Sequence, residues 1–169
     1  MNDLTPFDVT YGSNKKLRWK CVKGHEWETS ISKRSMNRGC PICCESKGEI
    51  EVANVLTNLD VSFKRQARFN TCKDKLPLPF DFLIKLKHGG MLIEYNGIQH
   101  YEPVRWRMTW TDEKMIAKFN ALQNRDKIKK EWADKRAIPL LVIPYWEFDN
   151  IENLVEDFII NTPFSLVCC

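Results

Sequence analysis

Phe80-Asp81-Phe82-Leu83-Ile84, then His88-Gly89-Gly90, then Met91-Leu92-Ile93-Glu94-Tyr95: the reading of this stretch decides the fold. Two largely apolar extended runs flank a glycine turn, the pattern of a β-hairpin. Pro77 and Pro79 bracket the entry to the first run. Each run carries one acid, Asp81 in the first and Glu94 in the second. A carboxylate beside a core is costly unless it is paired or holds a metal. Strands joined by one turn can bring the two acids together. Convergent carboxylates make a hard oxygen site suited to Mg²⁺ or Mn²⁺. Phosphodiester hydrolysis uses such an ion to activate water and neutralise developing charge. The plainer alternative is a pair of strand acids pointing to solvent.

Outward from the hairpin, ordinary elements follow. Ser46-Lys47-Gly48-Glu49 is a capping-box arrangement leading into Ile50, Val52, Val55 and Leu56, which predicts an amphipathic helix to about Asn58. Residues 61–66 alternate and predict a strand. Residues 112–136 are helical in composition, with Ile116, Phe119, Leu122, Ile128 and Trp132 available for an apolar face. Residues 138–143 predict a buried strand whose proline sits near its start, where a missing N–H is tolerable. Residues 152–160 predict a last helix. This order fits an α/β fold, a mixed sheet flanked by helices.

Before residue 46 the chain changes character. Cys21, His25, Cys40 and Cys43 form a C-x3-H-x14-C-x2-C array. Tetrahedral zinc takes two local ligand pairs separated by a loop, and the array supplies both. Gly24 lets the first knuckle turn back on itself. Cys44 adjoins Cys43 and could substitute for it. A unit this small has too little core to fold alone, so one structural zinc per chain would supply much of its folding free energy.

The chain has 169 residues, enough for one ordinary domain and a small module, divided as 1–45 and 46–169. Seven cysteines, an odd count with two at the extreme C-terminus, do not read as a secreted disulfide framework. Reduced, zinc-bound thiols imply a cytosolic or nuclear compartment. No apolar run approaches membrane-spanning length. Net charge is only +4, but residues 14–38 hold eight Lys and Arg against two Glu. Such a face means phosphate contacts or simply solubility. Its candidate nucleic-acid contacts are Lys15, Lys16, Arg18, Lys20, Lys33, Arg34 and Arg38. Trp19 and Trp27 can stack on bases or roof the zinc site. Arg105 and Arg107, interleaved with Trp106 and Trp110, form a second candidate surface.

Phe80-Asp81-Phe82 and Ile93-Glu94-Tyr95-Asn96-Gly97-Ile98-Gln99-His100 resemble the PD-(D/E)xK nuclease superfamily. The resemblance runs from about Gly48 to Tyr145 and is nearest to very-short-patch-repair and phage or viral homing endonucleases. The Cys/His array with its flanking tryptophans resembles the zinc-ribbon or treble-clef modules attached to such nucleases. The resemblance implies a restriction-endonuclease-like sheet and a DNA substrate, with RNA open. It implies Asp81, Glu94 and the Tyr95 carbonyl as ligands of Mg²⁺ or Mn²⁺, with Glu49 as a helix acid that completes the site. The lysine of the superfamily is replaced by Asn96, and Gln99 or His100 is left to fill that space. One branch is described by a Glu, an Asp, a His and an Asp, which Glu49, Asp81, His100 and Asp126 match. Loss of the lysine leaves a second reading open, a non-catalytic nucleic-acid-binding protein on a decayed nuclease fold.

Overall fold

The computed structural model describes residues 8–22, 24–36, 39–40, 46–86, 89–105 and 109–162. The chain divides into two compact units, Met1–Ser46 and Lys47–Cys169.

The first unit is a small antiparallel hairpin and one short helix. Strands β1 (Lys16–Lys20) and β2 (Glu26–Ser30) pair from Lys16↔Ser30 to Lys20↔Glu26. Alternate residues are half-buried, and Trp19 stands directly opposite Trp27. The Trp19 indole donates to the Thr29 carbonyl at 3.0 Å, which fixes its ring against the hairpin. Ser30 ends β2 and caps helix α1 (Ile31–Ser35) by accepting from the Lys33 amide at 3.4 Å.

The second unit begins with helix α2 (Lys47–Asn58), which buries Val52, Ala53, Val55 and Leu56. Ile50, expected on the apolar face, is instead exposed. Three antiparallel strands follow, β3 (Phe63–Lys73), β4 (Pro77–Leu86) and β5 (Gly89–Asn96). Helix α3 (Asp112–Asp134) crosses back so that β6 (Leu140–Pro144) lies parallel to β5. The result is a four-stranded mixed sheet in the order β3-β4-β5-β6. Helix α4 (Ile151–Asn161) follows a 3-10 segment, Tyr145–Asn150.

Two core clusters hold this unit together. The larger joins α2 and α4 residues to Phe82, Ile84, Met91, Ile93 and Ile143. The other joins Trp132 and Ala133 of α3 to Cys72, Leu78, Phe80 and Leu92. Gly48 sits where α2 meets β5: a Cβ there would lie 2.0 Å from the Tyr95 ring, so only glycine lets the helix approach.

Three sequence expectations change here. The strand expected over 61–66 runs on to Lys73, and Pro77 and Pro79 lie inside β4 rather than ahead of it, paired with Lys73 and Arg68. Ile116 is 48% exposed, because the N-terminal half of α3 stands clear of the sheet and only its C-terminal half packs on it. Among the described residues, no helix is long and apolar enough to cross a membrane.

Candidate functional site

Two groups of side chains carry chemistry. In the first unit, the chain reverses between Cys21 and His25. The Cys21 amide donates to the His25 carbonyl at 3.0 Å and the Gly24 amide to the Cys21 carbonyl at 2.9 Å. Gly24 adopts φ +86°, a conformation L side chains rarely take. The tight turn sets His25 Nδ1 3.5 Å from Cys21 Sγ and 3.7 Å from Cys40 Sγ. Two thiols cannot both donate to the single lone pair of one nitrogen. A zinc ion resolves the arrangement: bonds of about 2.3 Å to sulfur and 2.0–2.1 Å to nitrogen at a tetrahedral angle place S and N roughly 3.6 Å apart. The three ligand atoms all lie within 4.8 Å of one another. The expected fourth ligand, Cys43, and its neighbour Cys44 lie outside the described residues.

The basic face of this unit is partly committed. Lys16 and Lys20 face Glu28 and Glu26 across the hairpin at 3.9 and 3.3 Å, both pairs exposed. The Arg34 guanidinium stands over the Trp19 ring at 5.7 Å. Lys15, Arg18 and Lys33 are exposed. Arg38 lies outside the described residues. In the second unit, Arg105 donates to the Trp110 carbonyl at 2.6 Å and pairs with Asp112, so its guanidinium fastens a loop to the start of α3. Trp106 and Arg107 lie outside the described residues.

The second group forms where β4 parts from β5 while staying paired to β3. The β4–β5 ladder begins at Phe82↔Ile93. One step beyond stand Asp81 and Glu94, and there the Tyr95 amide donates to Asp81 Oδ2 at 3.0 Å rather than into the ladder. On the other side, Gln66 falls between the pairs Arg65↔Phe82 and Ala67↔Phe80, opposite Asp81. Its φ is +51°, a left-handed backbone uncommon for a non-glycine residue. Its side-chain amide donates to Asp81 Oδ1 at 3.2 Å. Asp81 is thus held from both flanking strands, one oxygen each.

Glu94 is buried, with its Oε2 2.7 Å from Lys129 Nζ. Lys129 reaches down from α3 and is nearly as buried, its ammonium 5.4 Å over the Phe80 ring. Even so, burial first and the Asp81 charge second push the Glu94 carboxyl up to about 8. Burial also raises Asp81, against the Tyr95 amide, Lys129 and Gln66. Glu94 Oε1 is buried without a hydrogen-bond partner among the described residues.

His100 closes the 3-10 turn Ile98–His100. Its Nδ1 lies 2.7 Å from Asp126 Oδ2, and Gln123 donates to its carbonyl, so two residues of α3 fix the turn. A carboxylate on Nδ1 favours the tautomer with its proton there and leaves the Nε2 lone pair available. Glu94, His100, Asp126 and Lys129 line one cavity of about 770 Å³. Gln99, expected beside the acids, turns elsewhere. Its amide lies over Gly97 and lines a smaller cavity of about 220 Å³ with Trp110 and Phe119. Glu49 sits half-buried in the first turn of α2. Lys129 and Gln66 are the residues that sequence reasoning missed. Asn96, which the resemblance set at the lysine position of the superfamily, is buried beside Tyr101.

The fold and sites define a mixed α/β chain with a Cys/His metal-binding finger at its N-terminus. Residues 1–46 match a family model described as "Probable Treble clef zinc finger domain". No curated protein and no solved structure matches the chain.

Proposed function

We propose that the chain is a divalent-metal-dependent DNA endonuclease of the PD-(D/E)xK type, with the zinc finger adding nucleic-acid affinity. One observation carries the reading: two carboxyls, Asp81 and Glu94, are buried together, and burial and their mutual repulsion disfavour the ionised form of Glu94. Lys129 is already in place, yet Glu94 is still pushed up to about 8 and its Oε1 is buried with no partner among the described residues. A divalent cation would relieve both, and oxygen ligands of this kind suit Mg²⁺ or Mn²⁺.

Asp81 and Glu94 are the residues that would hold the ion, with the Tyr95 carbonyl as a third donor by resemblance to the superfamily. When bound, the ion supplies Lewis acidity and charge neutralisation at the scissile phosphate. The other residues act around it. Gln66 and the Tyr95 amide orient Asp81. Lys129 balances Glu94 and presents positive charge to the phosphate. Hydrolysis forms one P–O bond to water and breaks one to the leaving sugar oxygen. His100 Nε2 takes or returns the proton, with Asp126 holding the tautomer. The alternative, a non-catalytic binding protein on a decayed nuclease fold, rests on Asn96 at the lysine position. Lys129 weakens it, since an ammonium reaches Glu94 from another element.

The test is a cleavage assay on duplex, nicked, branched and single-stranded DNA, and on RNA, with Mg²⁺ or Mn²⁺. Asp81→Asn abolishes cleavage while the protein stays folded, and His100→Ala slows it by roughly 10²–10⁴-fold. Full activity in the Asp81 variant refutes the assignment.

A further inference from the structure

Next to the acid cavity is a feature that phosphodiester hydrolysis does not itself require. Tyr101, Tyr145 and Trp146 form a contiguous aromatic cluster. Ring centroids are 4.4 Å apart for Tyr101–Trp146, 5.1 Å for Tyr145–Trp146 and 6.1 Å for Tyr101–Tyr145. Rings packed only for stability bury their faces. Here Trp146 is 57% exposed and Tyr101 37%.

The position of the cluster is informative. Tyr101 directly follows His100 and lines the same cavity as Glu94 and Asp126. Buried Asn96 lines the cavity with it. Tyr145 and Trp146 directly follow β6, the edge strand paired with β5. Val142 of that strand, also exposed, lines the same cavity as Tyr101. Across the cavity, α3 presents exposed Lys127 and Lys130. Lys127 approaches Glu131 at 3.9 Å, with both side chains exposed. Exposed ring faces opposite surface cations match a nucleotide, whose base stacks while its phosphate meets the ammonium groups. An apolar protein partner would find the lysines uncompensated on desolvation. A base inside an intact duplex has no free face to offer.

We propose that the Tyr101–Tyr145–Trp146 cluster is a stacking platform for an unpaired nucleobase beside the scissile phosphate. The preferred substrate is then single-stranded or locally opened nucleic acid. This rests on the nuclease reading of the adjoining cavity. Trp146 supplies the accessible face, Tyr101 sets its position relative to His100, and Lys127 and Lys130 hold the flanking phosphates.

The experiment measures binding by fluorescence anisotropy of labelled single-stranded DNA and of the matched blunt duplex. It uses the whole 169-residue chain carrying Asp81→Asn, so that cleavage does not interfere. Trp146→Leu keeps an apolar group of moderate size and removes the π face, while Trp146→Phe keeps an aromatic face. Stacking on aromatic side chains predicts that Trp146→Leu weakens single-strand binding by about 5- to 100-fold. Trp146→Phe restores most of the loss, and duplex affinity moves less than twofold. Equal affinities for the Leu and Phe variants, or parallel losses on single strand and duplex, overturn the platform. So does a concentration-dependent dimer in sedimentation that Trp146→Leu dissolves, since the rings then serve a second copy of the chain. The two readings fail separately. Stacking-dependent binding without metal-dependent cleavage by the wild-type chain keeps the platform and removes the nuclease. Cleavage that is indifferent to Trp146 and to strand pairing keeps the nuclease and removes the platform.

Discussion

Glu94→Gln tests the acid pair without requiring a substrate. The Glu94 side chain is 7% exposed and its carboxyl is raised from 4.5 to about 8. In the metal-free protein the folded state therefore keeps this proton between pH 4.5 and about 8, while the unfolded chain releases it. Stability contributed by the group is present below the unfolded value and is lost as pH rises toward the folded one. The full displacement is worth on the order of 5 kcal/mol. Between pH 5 and pH 8 the wild-type chain should lose roughly 3–4 kcal/mol that a chain without a titrating group at this position keeps. Glutamine holds the shape and can still accept from Lys129, so the comparison is of slopes rather than absolute stabilities. The assay is urea unfolding at several pH values in zinc-replete, magnesium-free buffer, for wild type and variant. The wild-type curve should fall with pH relative to the variant. Adding Mg²⁺ should flatten the wild-type curve and leave the variant unchanged, because binding to the folded state stabilises only where the carboxylate is present. Parallel pH profiles, or equal Mg²⁺ effects in both proteins, would refute the reasoning.

Further outcomes follow from other parts of the molecule. Elemental analysis should find about one zinc per chain, and Cys40→Ser should lose it and melt the hairpin signal in circular dichroism, because the metal supplies much of the folding free energy of so small a unit. Gly48→Ala forces a methyl group into the Tyr95 ring. It should destabilise the second unit by about 1–3 kcal/mol in thermal unfolding, and an unchanged melting temperature would show that α2 can shift freely. Neutralising Lys33 and Arg34 together should lower the log–log salt slope of duplex binding by roughly 0.9 for each phosphate that the variant no longer neutralises. An unaltered slope moves the nucleic-acid surface away from α1.

Much of this architecture was legible because it is written in local patterns. The two apolar runs of 80–95 around a glycine turn predicted β4 and β5, and S-x-x-E ahead of a periodic run predicted α2. Ligand types at knuckle spacing predicted that Cys21, His25 and Cys40 would meet. The continuation of β3 to Lys73 was hidden, because the alternation slips at Thr71, which follows Asn70 as a second exposed residue in succession. Lys129 was hidden for a different reason. It lies 35 residues from Glu94 on a helix crowded with other lysines, and no periodicity marks the one that turns inward. Gln66 was hidden because a left-handed residue other than glycine leaves no trace in composition. The contact between Asp126 and His100 leaves no local pattern, because only the crossover of α3 brings the two near.

That crossover binds the hydrophobic interior to the chemistry. Asp126, Lys129 and Ala133 follow one another at spacings of three and four residues, on a single stripe of α3. Trp132, beside that stripe, is wedged against Phe69 and Phe80 with centroids 4.7 and 5.7 Å away, and its indole donates to Thr71 at 3.0 Å. Rolling or sliding the helix to accommodate a new core residue would move the partners of both Glu94 and His100 at once. Substitutions at Trp132 or Phe80 should thus be epistatic with those at Glu94, His100, Asp126 and Lys129. Descendants of this chain would have to change their packing and their charged groups in concert, along a narrow evolutionary path.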